Sequence, residues 1–348
     1  MLEMNIVDIL EGRKKAPPMA LGFLRVLSYG YGAGVYLRNV GYDIGLFETK
    51  ELPVPVISVG NIVAGGAGKT PFVLYLAKAL MPYGKVAILS RGYRSRVEHM
   101  DKPLVVDEKV EAEECGDEPC LLSHKLPEAI VIAGKDRIRS ALYALQLGAE
   151  IILLDDGMQH RRLARTKEIV VMHARSLFGG GCYLPRGFLR DSPSRLMEAS
   201  LIVVSGVHDE AEFKGIQETL AEYTAAPVVG MGLSLLNGET LAGKRVGAFC
   251  AIAAPDRFFC TLKQNGCQLL ATETQSDHVA FSLEFLTQFA RHCRALGADC
   301  LVCTEKDRIK LPEELNLELP VQTLEIEAVP HFNSAALEIL IEQMRKET

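Results

Sequence analysis

Short runs rich in valine, isoleucine and leucine recur along the chain, each followed by a stretch with helical spacing: PVPVISVG, KVAILSRG, AIVIAG, EIILLDD, EIVVMHA, LIVVSG, then RVGAFCAIA and DCLVCTEK. These runs are apolar throughout, so both faces of the strands must be covered. Their alternation with helices places the chain in the α/β class, with a mostly parallel sheet and helices on both faces. A break comes near APVVGMGLSLLNGETLAGKRVG, where Gly230, Gly232, Gly238 and Gly243 punctuate the sequence and NGET is expected to form a tight turn between two short strands. With 348 residues the chain is long enough for two domains. The expected organisation is an N-terminal segment over 1–50, a core over 51–228, a two-stranded hinge over 229–244 and a smaller α/β domain over 245–348.

The stretch VGNIVAGGAGKTP follows the first apolar run and precedes the helical PFVLYLAKAL. Strand, glycine-rich turn and helix together form a phosphate-binding setting, because loop N–H groups and the helix N-terminus converge on one point. Gly65, Gly66, Ala67, Gly68, Lys69, Thr70 and Pro71 are the candidate nucleotide-binding residues, although Val63 stands where the G-x-x-x-x-G-K-[ST] pattern has its first glycine. Lys69 would reach the β- and γ-phosphates of a nucleoside triphosphate, and the Thr70 hydroxyl would bind Mg²⁺. The loop also resembles the K-G-G-x-G-K-T variant of the partition ATPases, but Ala64 occupies the place of their signature lysine.

Asp155 and Asp156 end the apolar run EIILLDD and are expected at the C-terminal edge of the sheet, where ligands of open α/β sheets collect. Asp117 and Glu118, in CGDEPC, form a second acidic pair that on local grounds is also a helix cap. TEKD departs from the guanine-reading pattern [NT]-K-x-D, since Glu305 holds the lysine position. The formal net charge of -6 does not point to nucleic acid, and the nine scattered cysteines fit a reducing compartment. Cys300 and Cys303 read as buried thiols of a strand. Residues 16–47 are apolar and aromatic, but Arg25 and Arg38 interrupt them, so they suit neither a membrane span nor a signal peptide. A helix lying in a headgroup layer, with Arg13, Lys14, Lys15, Arg25 and Arg38 nearby, and a helix packed on the body of the protein are both open.

VPVISVGNIVAGGAGKTP, SRGYRS, GDEP, AGKDRIRSA, LLDDGMQH, LPRGFLRDSPSRL, SDHVAF and TEKDRIKL occur in an order and spacing similar to those of the tetraacyldisaccharide 4'-kinases of lipid A biosynthesis, from about residue 18 to residue 312. Met158 replaces the family's usual phenylalanine, and Val279 the second histidine of its Asp-His-His motif. The resemblance implies a P-loop kinase core that moves the γ-phosphate of ATP to the 4'-hydroxyl of a membrane-embedded tetraacyldisaccharide 1-phosphate. It also implies a peripheral enzyme on the cytoplasmic face of the bacterial inner membrane, docked on an anionic surface through its N-terminal segment, with no obligatory protein partner indicated. By the same resemblance Asp117 is the catalytic base, oriented by His278, and Lys69 stabilises the transferring phosphoryl group. Thr70 with Asp155 or Asp156 would hold Mg²⁺, Glu118 reaching it through a water, while Arg91, Tyr93, Arg137, His160 and Arg190 would line the substrate cleft.

Overall fold

The computed structural model describes residues 18–277, 279–312 and 314–347. A helix over Pro18–Asp43 leads into thirteen strands: β1 (Val56–Gly60), β2 (Val86–Ser90), β3 (Leu104–Val106), β4 (Ile130–Ala133), β5 (Ile151–Asp155), β6 (Lys167–His173), β7 (Leu201–Ser205), β8 (Val228–Leu235), β9 (Arg245–Cys250), β10 (Gln268–Thr274), β11 (Cys300–Thr304), β12 (Val321–Leu324) and β13 (Ile326–Phe332). Nine of them form one sheet in the order β13-β8-β7-β6-β1-β5-β2-β4-β3, and four form another in the order β10-β9-β11-β12. Pairing is parallel except at the two ends of the large sheet, where β13 runs against β8 and β3 against β4.

Period-two burial explains the layers. Ile57, Val59, Ile88 and Leu153 face the helix Lys69–Leu80, which contributes Phe72, Leu76 and Leu80 to the same cluster. Their neighbours Val56, Ala87, Leu89, Ile152 and Leu154 face the other way, onto Ala141 and Ala144 of the helix Arg137–Gln146. The small sheet repeats the arrangement between helices Pro255–Gln264 and Leu283–Ala295. There Cys300 and Cys303 are buried on opposite faces, as an odd spacing on a strand dictates.

Two details depart from the reading of the sequence. NGET does not turn between two short strands: β8 is eight residues long and is followed by one helical turn, Gly238–Leu241. The Asn237 side chain closes no hairpin; it donates to Thr323 O at 2.6 Å and accepts from Glu325 N at 3.1 Å, tying together the chain that enters the small sheet and the chain that leaves it. The second departure is at the C-terminus. Both β13 and the helix Ser334–Glu347 join the large sheet, with Ala328, Leu337, Leu340 and Met344 in its core, so the small sheet is an insertion between β8 and β13.

Candidate active site

The phosphate loop leaves β1 at the centre of the large sheet and enters the helix Lys69–Leu80. Gly65 (φ 111°) and Gly68 (φ 86°) take left-handed conformations that favour glycine. A Cβ at Gly65 or Gly66 would meet no protein atom within 4 Å, so this side of the loop is open to a ligand. Val63 is accommodated because it lies in an antiparallel bridge with Leu189, an extended position that any residue adopts. The rest of the loop is pinned from outside: Ala64 N donates to Phe188 O at 2.7 Å, Ser205 Oγ to Ala67 O at 2.8 Å, and Arg257, from the small-sheet lobe, to Gly66 O at 3.1 Å.

Pairing of Val59 with Asp155 in the β1–β5 register puts the acidic strand end beside this loop. Asp155 is 1% exposed; its Oδ2 accepts from Ser90 Oγ at 3.1 Å and its Oδ1 is buried with no hydrogen-bond partner. Burial, with Glu118 and Asp156 nearby, pushes this carboxyl up to about 7. Asp156 turns out of the strand at φ 55° and meets Lys69 Nζ at 3.3 Å and Arg190 through both guanidinium nitrogens. Its burial opposes ionisation, but Lys69 and Arg190 outweigh it and hold the carboxyl well below the usual range.

Glu118 lies across the loop, accepting from Thr70 Oγ1 at 3.3 Å and from Lys306 Nζ at 2.8 Å. The Lys306 ammonium holds its carboxyl down at about 2, against the effect of burial. Thr70, Glu118 and the unpartnered Asp155 oxygen make an all-oxygen donor set, which suits a hard divalent cation. Among the described residues no three acidic, histidine or cysteine side chains form a metal cage; a Mg²⁺ site completed by nucleotide phosphates needs none. Asp117 opens the helix Asp117–Lys125. The cap is Gly116 with no side-chain hydrogen bond, so the capping alternative for the acidic pair does not hold. Asp117 meets Lys310 Nζ at 3.5 Å.

A cleft of about 730 Å³ adjoins Asp156 and is lined by Arg91, Arg137, His160 and Arg190 among others. These four differ in what they offer. Arg137 is 4% exposed and donates to Gly134 O at 2.5 Å and Asp155 O at 3.3 Å, so it braces the end of β5. Arg190 is bound to Asp156 and Asn61. Arg91 is half exposed and pairs with Glu98 at 2.9 Å. Burial and the Arg137 charge lower His160 to about 4, leaving a neutral imidazole whose Nε2 is buried without a partner. Tyr93 is 51% exposed, under the Arg94 guanidinium. His278 lies outside the described residues; beside it, Asp277 O accepts from Arg94 Nη1 at 3.3 Å.

Met158, in place of the usual phenylalanine, is fully buried against Gly60. Asp307 of TEKD accepts from Ala251 N at 3.1 Å and Thr304 Oγ1 at 2.7 Å, which leaves no carboxylate to read a guanine. Lys306, Lys310 and Arg257 bring the second lobe to the site but carry no role in the reading of the sequence. The four-residue spacing of the two lysines is a one-face helical signal that was available for them; Arg257 has no such signal.

A glycine-rich loop on the central strand of a parallel sheet, with a lysine, a threonine and a neighbouring acidic strand end, defines a P-loop nucleotide-dependent enzyme of the α/β class. The family model for tetraacyldisaccharide-1-P 4'-kinase matches residues 20–345. The chain is 38% identical over 303 residues to the tetraacyldisaccharide 4'-kinase of Geobacter metallireducens, covering 84% of this chain and 89% of that one. It is 39% identical over 346 residues to that of Chlamydia pneumoniae, covering 94% of each. The crystal structure of the "apo" form of LpxK from Aquifex aeolicus in complex with ATP superposes with a TM-score of 0.75 at 32% identity, covering 93% of this chain and 99% of that one. The chain belongs to the tetraacyldisaccharide 4'-kinase family.

Proposed function

We propose that this chain transfers the γ-phosphate of ATP to the 4'-hydroxyl of a tetraacyldisaccharide 1-phosphate in lipid A biosynthesis. The observation that carries the reading is the meeting of Lys69, Thr70, Glu118, Asp155 and Asp156 at the ends of β1 and β5, with Asp117 on the adjoining turn. A sugar hydroxyl is a poor nucleophile, and Asp117 accepts its proton as the P–O bond forms. Lys69, now held by Asp156, has the γ-phosphate as its alternative partner. Thr70, Glu118 and Asp155 would hold Mg²⁺, Asp155 being the direct ligand because Asp156 is already engaged by Lys69 and Arg190. Bound there, Mg²⁺ would supply neutralising charge for the transferring phosphoryl group. The orientation of Asp117 is assigned to His278 on the family resemblance alone. Arg91, Tyr93 and His160 meet the acceptor sugar, His160 as a neutral hydrogen-bonding group; Arg137 and Arg190 shape that wall through their hold on Asp155 and Asp156.

The helix Pro18–Asp43 supports a peripheral membrane role. Leu24, Ser28, Val35 and Asn39 are buried on one side, whereas Met19, Phe23, Val26, Leu27 and Leu37 face outward at 43–89% exposure. No helix of the described residues is long and apolar enough to cross a membrane. Such a face suits the headgroup boundary of the cytoplasmic leaflet, where an acylated substrate resides. Arg38 does not face the lipid, because it donates to the buried Asp191 at 2.9 Å and anchors the helix. Arg25 remains exposed for anionic headgroups, while Arg13, Lys14 and Lys15 lie outside the described residues. The decisive assay supplies radiolabelled ATP, Mg²⁺ and detergent-dispersed tetraacyldisaccharide 1-phosphate. Lipid-soluble label is expected; ATP hydrolysis that is equal with and without lipid, with no labelled lipid, would sink the reading.

A further inference from the structure

The two lysines of TEKDRIKL reach across from the small-sheet lobe to adjacent carboxylates of GDEP, and they do so from different supports. Lys306 meets Glu118 at 2.8 Å and is 28% exposed. Lys310 is 6% exposed and sits between Asp117 Oδ2 at 3.5 Å and Asp307 Oδ1 at 3.3 Å. Asp307 is itself 1% exposed and immobilised, accepting from Ala251 N through both oxygens and from Thr304 Oγ1. A line of contacts therefore runs from the end of β9, through Asp307 and Lys310, to the side chain of Asp117 in the other lobe, the Lys310 ammonium meeting both carboxylates as ion pairs without a hydrogen bond. A third ion pair, Lys125 with Glu305, fixes the far end of the Asp117–Lys125 helix to the same segment.

We propose that Lys310 is a positioning residue for Asp117: anchored by Asp307, it sets the place of that carboxylate from the opposite lobe, so that Asp117 is aligned only when the two lobes are docked. This rests on the reading of Asp117 as the proton acceptor. An ammonium held by a buried carboxylate is a fixed point of charge, and a carboxylate on the first turn of a helix has rotameric freedom that such a point removes. Misplacing a reacting group by about 1 Å costs on the order of 10²-fold in rate. A device of this kind makes turnover depend on lobe docking without any contact between Lys310 and the nucleotide.

The test uses the full chain in lipid–detergent micelles, with turnover per nucleotide-binding site and ATP affinity measured separately. Lys310→Met should lower kcat by about 10²-fold while ATP affinity stays within about twofold, and Lys310→Arg should restore part of the loss. In an Asp117→Asn background, Lys310→Met should add almost nothing, because the two act as one unit. If Lys310→Met does not fold, the charge-neutral pair Lys310→Met with Asp307→Asn, which leaves no unpaired buried carboxylate at Asp307, carries the same kcat measurement. Near-wild-type kcat in the folded variant, or a loss that multiplies with that of Asp117→Asn, overturns the proposal. A fully active Asp117→Asn would instead remove the proton acceptor itself, and that outcome is distinct from an inactive Asp117→Asn beside an active Lys310→Met.

Discussion

Asp156 shows how one residue carries several constraints. Its left-handed backbone (φ 55°) turns the carboxylate out of the strand direction, and two cations then hold it there. A non-glycine residue in that region is sustained only when its surroundings over-determine it. Asp155, one residue earlier, has an extended backbone and a buried, unpartnered oxygen, so adjacent and identical side chains take different tasks. Thr70 is the sharpest point to probe, since its hydroxyl meets Glu118 and its backbone belongs to the first turn of the loop helix. Thr70→Ala should cut turnover by about 10²-fold, whereas Thr70→Ser, which keeps the oxygen, should retain most of it. Equal rates in a Mg²⁺ titration of the two variants would show that the hydroxyl holds no metal.

At the scale of elements, the helix Pro18–Asp43 is the one whose two faces disagree with a simple packing role. Its inner face is fastened by polar contacts: Ser28 Oγ to Tyr183 O at 2.8 Å, Asn39 Nδ2 to Asp191 at 2.9 Å and Arg161 to Asp43 at 2.7 Å. Its outer face is apolar and unpartnered among the described residues. The triple change Phe23→Ser, Leu27→Ser and Leu37→Ser should therefore weaken co-sedimentation with anionic liposomes several-fold and leave ATP binding unchanged, because membrane affinity scales with buried apolar area. Unaltered co-sedimentation would return the segment to a packing role. Salt should release only part of the wild-type protein if the apolar face carries the binding, because screening acts on charge and not on apolar burial.

For the whole molecule, the insertion of the small sheet between β8 and β13 matters most. Leu236 N bonds to Glu325 O at 3.0 Å, so the points where the chain leaves and re-enters the large sheet are neighbours. Cutting the chain at 244 would strip β13 and the helix Ser334–Glu347 from the large sheet and leave β8 as an open edge. A fragment over 18–244 should aggregate. A fragment over 18–236 joined by a short linker to 325–347 should be soluble and gain thermal stability from ATP. If the first fragment is the better behaved in light scattering, the return of β13 is dispensable and the boundary expected near 244 is the physical one. The candidate site lies across the same division, since Lys306, Lys310 and Arg257 come from the insertion and reach Glu118, Asp117 and Gly66 of the larger lobe.

By itself the sequence determined the features that are local. Continuous apolar runs specified buried parallel strands, the glycine-rich turn between strand and helix specified the phosphate loop, and the acidic end of β5 followed from the same pattern. Each depends on a few consecutive residues and on backbone conformations they alone permit. Only the tertiary structure decided which distant partner each charged side chain takes: Arg190 with Asp156, Arg137 with the Asp155 carbonyl, Arg38 with Asp191, and Lys310 with Asp117. It also decided that β13 pairs with β8 and not with the small sheet. Those outcomes join residues separated by tens to hundreds of positions, where no periodicity or turn chemistry acts. A charged group there settles with whichever opposite charge the packed layers bring within reach, because burial makes any unpaired charge costly.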